Sequence, residues 1–163
     1  NMMIVSLALF LTWYVMDPVF TEAWTTGIEP MTSGRMEVGP ALQAAILPFR
    51  EFMALRIDAE TFQTLQDLRV TPGAAISPVP PGEASLSLLV PSFLLSEIQR
   101  AFEIGFMIFL PFLIIDLVVA AILMSMGMMM VPPAVVSLPF KLVFFVVADG
   151  WALVSGALVR SYF

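Results

Sequence analysis

Asp116 and Lys141 are the only ionisable side chains between Ile104 and Ala148, a stretch otherwise built from apolar and small residues. An acid and a base in such surroundings offer two kinds of chemistry. They can meet as an ion pair, because an isolated charge in an apolar medium costs several kcal/mol and a partner offsets much of that. Alternatively, a lone intramembrane acid can relay protons or ions. Between them stand Met128, Met129 and Met130, three consecutive thioethers followed at once by Val131, Pro132 and Pro133. Thioethers suit Cu(I), but Met is also a pliable apolar filler that adapts to irregular gaps. Upstream, Glu97, Arg100 and Glu103 recur at three-residue steps on one helical stripe. That stripe is either a solvated face with weak local pairs or a subunit contact. The chain contains no Cys and no His. Thiol nucleophiles, disulfides, zinc sites and the usual general base are thereby removed together. No catalytic, cofactor-binding or metal-ligating residue is expected, and no enzyme.

The elements that must carry these residues are helices. Residues 104–140 hold Asp116 as their single ionisable group, and a helix needs about 20 apolar residues to cross a bilayer. The Gly-Met-Met-Met-Val-Pro-Pro run that starts at Gly127 turns the chain back, so a hydrophobic helical hairpin is predicted, with residues 142–159 as one returning arm. At about 1.5 Å per residue, Asp116 and Lys141 both lie roughly 13 to 17 Å from such a turn and can meet. The same count sets Arg160 opposite Glu97 and Arg100, although Pro111 and Pro139 work against straight arms. The structural Asp116–Lys141 pair is favoured over the relay because buried charges are usually matched. Met124 and Met126 read as helical filler. Met128 to Met130 occupy a turn, where polar residues are the norm, and so read as a flexible closure around a hole. On the returning arm Ala148, Ala152 and Gly156 fall at four-residue intervals, a face that lets helices approach closely.

Composition agrees. Of 163 residues, 60 % are hydrophobic and 12 % charged, and the mean hydropathy is +0.95, values that belong to membrane or deeply buried oligomeric proteins. A net charge of −6 argues against nucleic acid, which needs clustered Lys and Arg. The charges concentrate between residues 17 and 103, which leaves a polar middle between hydrophobic ends. Residues 2–16 are apolar or weakly polar throughout but short of a comfortable span, and a chain that opens on Asn1 is expected to continue upstream. In the middle, Leu42, Ile46, Phe49, Phe52, Met53 and Leu55 mark an amphipathic helix over 38–57, bent or interrupted at Pro48. Asp58 is placed to cap a shorter helix that ends near Leu68. Residues 71–83 are Pro/Gly-rich and read as a loop, and a long helix resumes from Pro91.

The stretch SEIQRAFEIGFMIFLPFLIIDLVVAAILMSMGMMMVPPAVVSLPFKLVFFVVADGW, residues 96–151, resembles the C-terminal half of the FliP family of flagellar type III export-gate proteins, whose injectisome counterpart is SctR. LPFREFM at 47–53 resembles the family's segment before its polar insertion, and LALFLTW near the start resembles its first hydrophobic helix. MMMVPP at 128–133 is closer to the flagellar branch, since Ser-Pro is common in SctR. The resemblance implies one all-α subunit over 1–163: a first hydrophobic helix at 1–26, amphipathic helices at 37–68, a Pro/Gly-rich loop at 69–85, and a hydrophobic hairpin with a Met-rich turn at 86–163. It further implies a helically staggered ring of five copies in the bacterial inner membrane, within the flagellar basal body. FliQ and FliR are the implied partners, with FlhB and FlhA beyond them, and unfolded flagellar proteins are the cargo. It implies helices largely above the membrane plane, where composition alone reads them as spanning the bilayer. Met128, Met129 and Met130 would act as the pore gasket. Glu97 and Lys141 would take part in charged contacts between helices or subunits, which gives Lys141 an alternative partner to Asp116. The reading set against this one is an autonomous polytopic transporter that uses Asp116 for proton coupling. A methionine-based copper carrier is a third.

Overall fold

The computed structural model describes residues 1–69, 79–128 and 130–163, which are helical throughout with no strand among them. The helices are α1 (Met2–Ala23), α2 (Glu29–Thr32), α3 (Val38–Arg56), α4 (Ala59–Leu68), α5 (Leu86–Ser125), α6 (Pro133–Val147) and α7 (Gly150–Arg160). The chain divides into two compact units, Asn1–Ala101 and Phe102–Phe163, and α5 contributes to both. Met2–Thr32 and Leu86–Ser125 are each long and apolar enough to cross a membrane, as is the bent α6–α7 pair if it is counted as one span.

In the first unit, the apolar run 2–16 is extended well beyond its sequence limit. The helix continues through Pro18, then through a π-helical turn at Trp24–Ile28 into α2, for 31 residues in all. A proline removes a single hydrogen bond, and the flanking turns here carry the helix past it. α3 likewise runs through Pro48 without interruption. Pro48 cannot donate to the Ala44 carbonyl; the Thr26 hydroxyl, which donates to the Glu22 carbonyl at 2.8 Å, also comes within 3.4 Å of that oxygen. The π turn sits hard against α3, where a Cβ on Gly27 would come within 2.6 Å of the Ala41 carbonyl, and Phe20 meets Phe49 edge to face. Phe62, Ala84 and Leu88 form a small core with Ile57 and Leu65. Of the predicted loop, residues 70–78 lie outside the described residues, and 81–83 form one 3₁₀ turn. α5 starts at Leu86, five positions before Pro91, so Pro91 lies in its second turn.

In the second unit, α5 ends at a glycine. Gly127 has φ +73°, a left-handed conformation that suits Gly. The Met128 N–H reaches back to the Leu123 carbonyl and the Gly127 N–H to the Met124 carbonyl, which together make a Schellman motif. Pro133 then opens α6 at its first position, where a missing N–H costs nothing. The returning arm is not the single helix expected over 142–159. α6 stops at Val147, Asp149 adopts φ 48°, ψ 50°, and α7 leaves at a bend of 58°.

Candidate functional site

α5 carries one charged cluster in each unit. In the second unit the helix turn brings Lys141 back onto Asp116, with Nζ 2.6 Å from Oδ2. The other carboxylate oxygen accepts from the hydroxyl of Ser137, a side chain with no exposed surface. Ser137 lies four residues before Lys141, so both project from one face of α6 onto the same carboxylate. That i, i+4 spacing is the signal by which sequence reasoning could have found Ser137. Beside the pair, Val118, Ile122, Val136 and Phe140 help to line an open apolar groove of about 430 Å³. The arrangement joins an acid and a base into a locally neutral unit that holds α5 to α6.

In the first unit Glu97 is gripped by Arg56 through a two-point fork, Nε to Oε1 at 2.8 Å and Nη2 to Oε2 at 3.4 Å. Arg100 adds a longer contact of 3.6 Å along the helix. Arg56 is the functional side chain that sequence reasoning missed. It stands forty-one residues from Glu97, across a capped corner and a loop, where no counting rule pairs them. The corner itself is well tied. Asp58 Oδ2 accepts from the Thr61 N–H at 2.8 Å, as the capping signal requires, and the Asp58 N–H donates to Ser96 Oγ at 2.9 Å. The Thr61 backbone N–H is the main cause that holds the Asp58 carboxyl below the usual range. Arg50 and Arg69 fasten the far side of the loop, Arg50 to the Gly82 and Ala84 carbonyls and Arg69 to Ser85 and Ser87. Arg160 donates to its own helix, at the Gly156 carbonyl.

Of the three turn methionines, Met128 and Met130 are exposed, Met130 at 98 %. Met129 lies outside the described residues. The small-residue face does not survive as one helical stripe. Ala148 is the C-cap of α6, whereas Ala152 and Gly156 belong to α7, because the left-handed Asp149 intervenes. An aromatic cluster occupies that joint: Phe112 packs on Phe144 and Phe145, and Phe145 meets Trp151 edge to face at 5.4 Å.

The profile of the FliP family matches residues 1–158. The flagellar biosynthetic protein FliP of Rhizobium meliloti is 49 % identical over 162 residues, which cover 99 % of this chain and 65 % of that protein. Its namesake in Caulobacter vibrioides is also 49 % identical, over 99 % of this chain and 59 % of its own length. The Bacillus subtilis protein of the same name is 42 % identical, with 99 % and 72 % covered. The chain thus spans less than two thirds of the length of the first two.

Proposed function

The chain belongs to the FliP family, and on that premise we propose that it is a core pore-forming subunit of the flagellar type III protein export gate. In this reading five copies form a staggered ring with FliQ and FliR, next to FlhB and FlhA, at the bacterial inner membrane. Unfolded flagellar proteins are threaded through it. The subunit makes and breaks no bonds. Met128, Met129 and Met130 close the narrowest point when nothing passes, since thioethers fill an irregular gap and yield when displaced.

The observation that carries this reading is the apolar surface that α5 leaves uncovered. Only 6 % of its most apolar stretch is buried, and Phe102 is 75 % exposed. Water does not tolerate so large a contiguous patch, so lipid, further copies or other apolar subunits must cover it. Co-expression with FliQ and FliR followed by native mass spectrometry tests the proposal. A ring of several copies is expected, and a stable, folded monomer in mild detergent overturns it. The gasket has its own test. Met128→Ala, Met129→Ala and Met130→Ala together should make membranes leak ions and small solutes while assembly stays normal, and the corresponding Leu triple should leak less but impair export more. Conductance equal to wild type in the assembled Ala triple assigns the seal to another subunit.

A further inference from the structure

The arm from Pro133 to Arg160 is apolar enough to be one helix, yet it is broken at a single point. Asp149 is the one non-glycine residue with positive φ among the described residues. L-residues disfavour this region, and Asp is among those that tolerate it, because its short polar side chain can bond locally. Helical hydrogen bonding resumes at once. The Asp149 N–H bonds to the Val146 carbonyl, and the Asp149 carbonyl already accepts from the Leu153 N–H. The left-handed Asp149, with Ala148 beside it at φ −78°, ψ 0°, therefore separates the bent arm from a continuous helix. The bend is held by side chains. The Phe145 ring lies over Gly150, where a Cβ would come within 2.3 Å of it. The same ring abuts Trp151 at 5.4 Å, so a residue in the last turn of α6 clips onto the first turn of α7.

The pattern of small residues points to the other state. Ala148, Ala152 and Gly156 stand at four-residue intervals, and the bend divides them between a helix cap and the next helix. A helix continuous through Asp149 restores them to one face. We propose that Ala148–Gly150 is a two-state hinge. Its bent form is clipped by Phe145 over Gly150 and Trp151, and its straight form is reached when Asp149 passes from the left-handed to the right-handed region. The hinge does not depend on what the chain exports or which subunits surround it.

The absence of cysteine from the chain makes paired spin labels straightforward at Val135→Cys and Ala157→Cys. In a straight helix these positions lie about 33 Å apart. At the 58° bend the same rise per residue brings them about 4 Å closer. The full chain is measured in its assembled state, diluted with unlabelled copies so that distances between copies drop out. Asp149→Gly, which relieves the left-handed residue and weakens the straight helix, should raise the ratio of short to long distances about fivefold. Asp149→Ala favours the right-handed helix and should lower the ratio by a similar factor. Gly150→Ala, which forces a methyl into the Phe145 ring, should lower it further. Asp149→Ala introduces no clash, so the test stands even if Gly150→Ala fails to fold. An unchanged distance distribution in both Asp149 variants overturns the hinge.

Discussion

Two of the ion pairs on α5 solve the same problem in different ways. Arg56 and Glu97 are nearly closed off, their side chains 9 % and 19 % exposed, and they meet through a two-point fork inside a corner rich in other polar contacts. Lys141 and Asp116 are more open, at 23 % and 33 %, and meet through one ammonium, with the Ser137 hydroxyl on the other carboxylate oxygen. A guanidinium is planar and cannot shed its charge, so its partner must be supplied by the fold, whereas a lysine carries a point charge on a flexible stem and can lose that charge when buried. The first pair therefore locks a corner, and the second joins two helices with some freedom left. Burial and geometry, more than the presence of opposite charges, decide what each pair is worth.

This contrast ranks the mutations. Glu97→Ala strips the carboxylate from a buried arginine and should destabilise the fold by about 3 kcal/mol, read as a shift in thermal or denaturant melts in detergent. Arg56→Lys keeps the charge but loses the fork and should cost less. If Glu97→Ala melts like wild type, the corner is held without the fork and the contrast collapses. Asp116→Ala and Lys141→Ala should each destabilise less than Glu97→Ala, because each breaks a single ammonium contact where Glu97→Ala breaks a two-point fork. Exchanging the two, Asp116→Lys with Lys141→Asp, should recover part of the loss. A double-mutant cycle without coupling between them would return Lys141 to the alternative partner, Glu97, that the family resemblance raised.

The difference also explains how legible each pair was. Asp116 and Lys141 sit on consecutive helices joined by a short turn marked by Gly127 and Pro133, so equal distances from the turn place them together by counting. Arg56 and Glu97 are separated by α4 and a Pro/Gly-rich loop, and no local rule sets the spatial relation of two elements across such a segment. The Asp58 cap was legible because capping is local to one helix end. The break at Asp149 was not. Left-handed Asp residues are uncommon, and although Asp149-Gly150 is a turn dipeptide, the apolar runs on either side of it read as one arm. The continuation of α1 past Met16 was hidden because the apolar run ends there, whereas the helix itself carries on through Asp17 and Pro18.

The smallest effect belongs to the corner that holds the tighter pair. The Asp58 carboxyl is held below its unfolded value of 3.8, chiefly by the Thr61 N–H that it caps. A group whose folded pKa is depressed contributes stability that is present above the unfolded value and lost as pH falls through the folded one. The cap's contribution should thus be complete at pH 6 and fade below about pH 4. Other carboxylates titrate in the same window, so the melt of wild type alone cannot isolate it. Asp58→Asn supplies the reference, because Asn also caps helices but carries no titrating charge. Its neutral hydrogen bond is the weaker one, so wild type should melt above the variant at pH 6, and the gap should narrow at pH 3. A gap that stays constant between the two pH values would mean that the carboxylate's charge does not contribute at this corner, and that α4 is held by the Asp58–Ser96 hydrogen bond, its apolar core and the fork between Arg56 and Glu97.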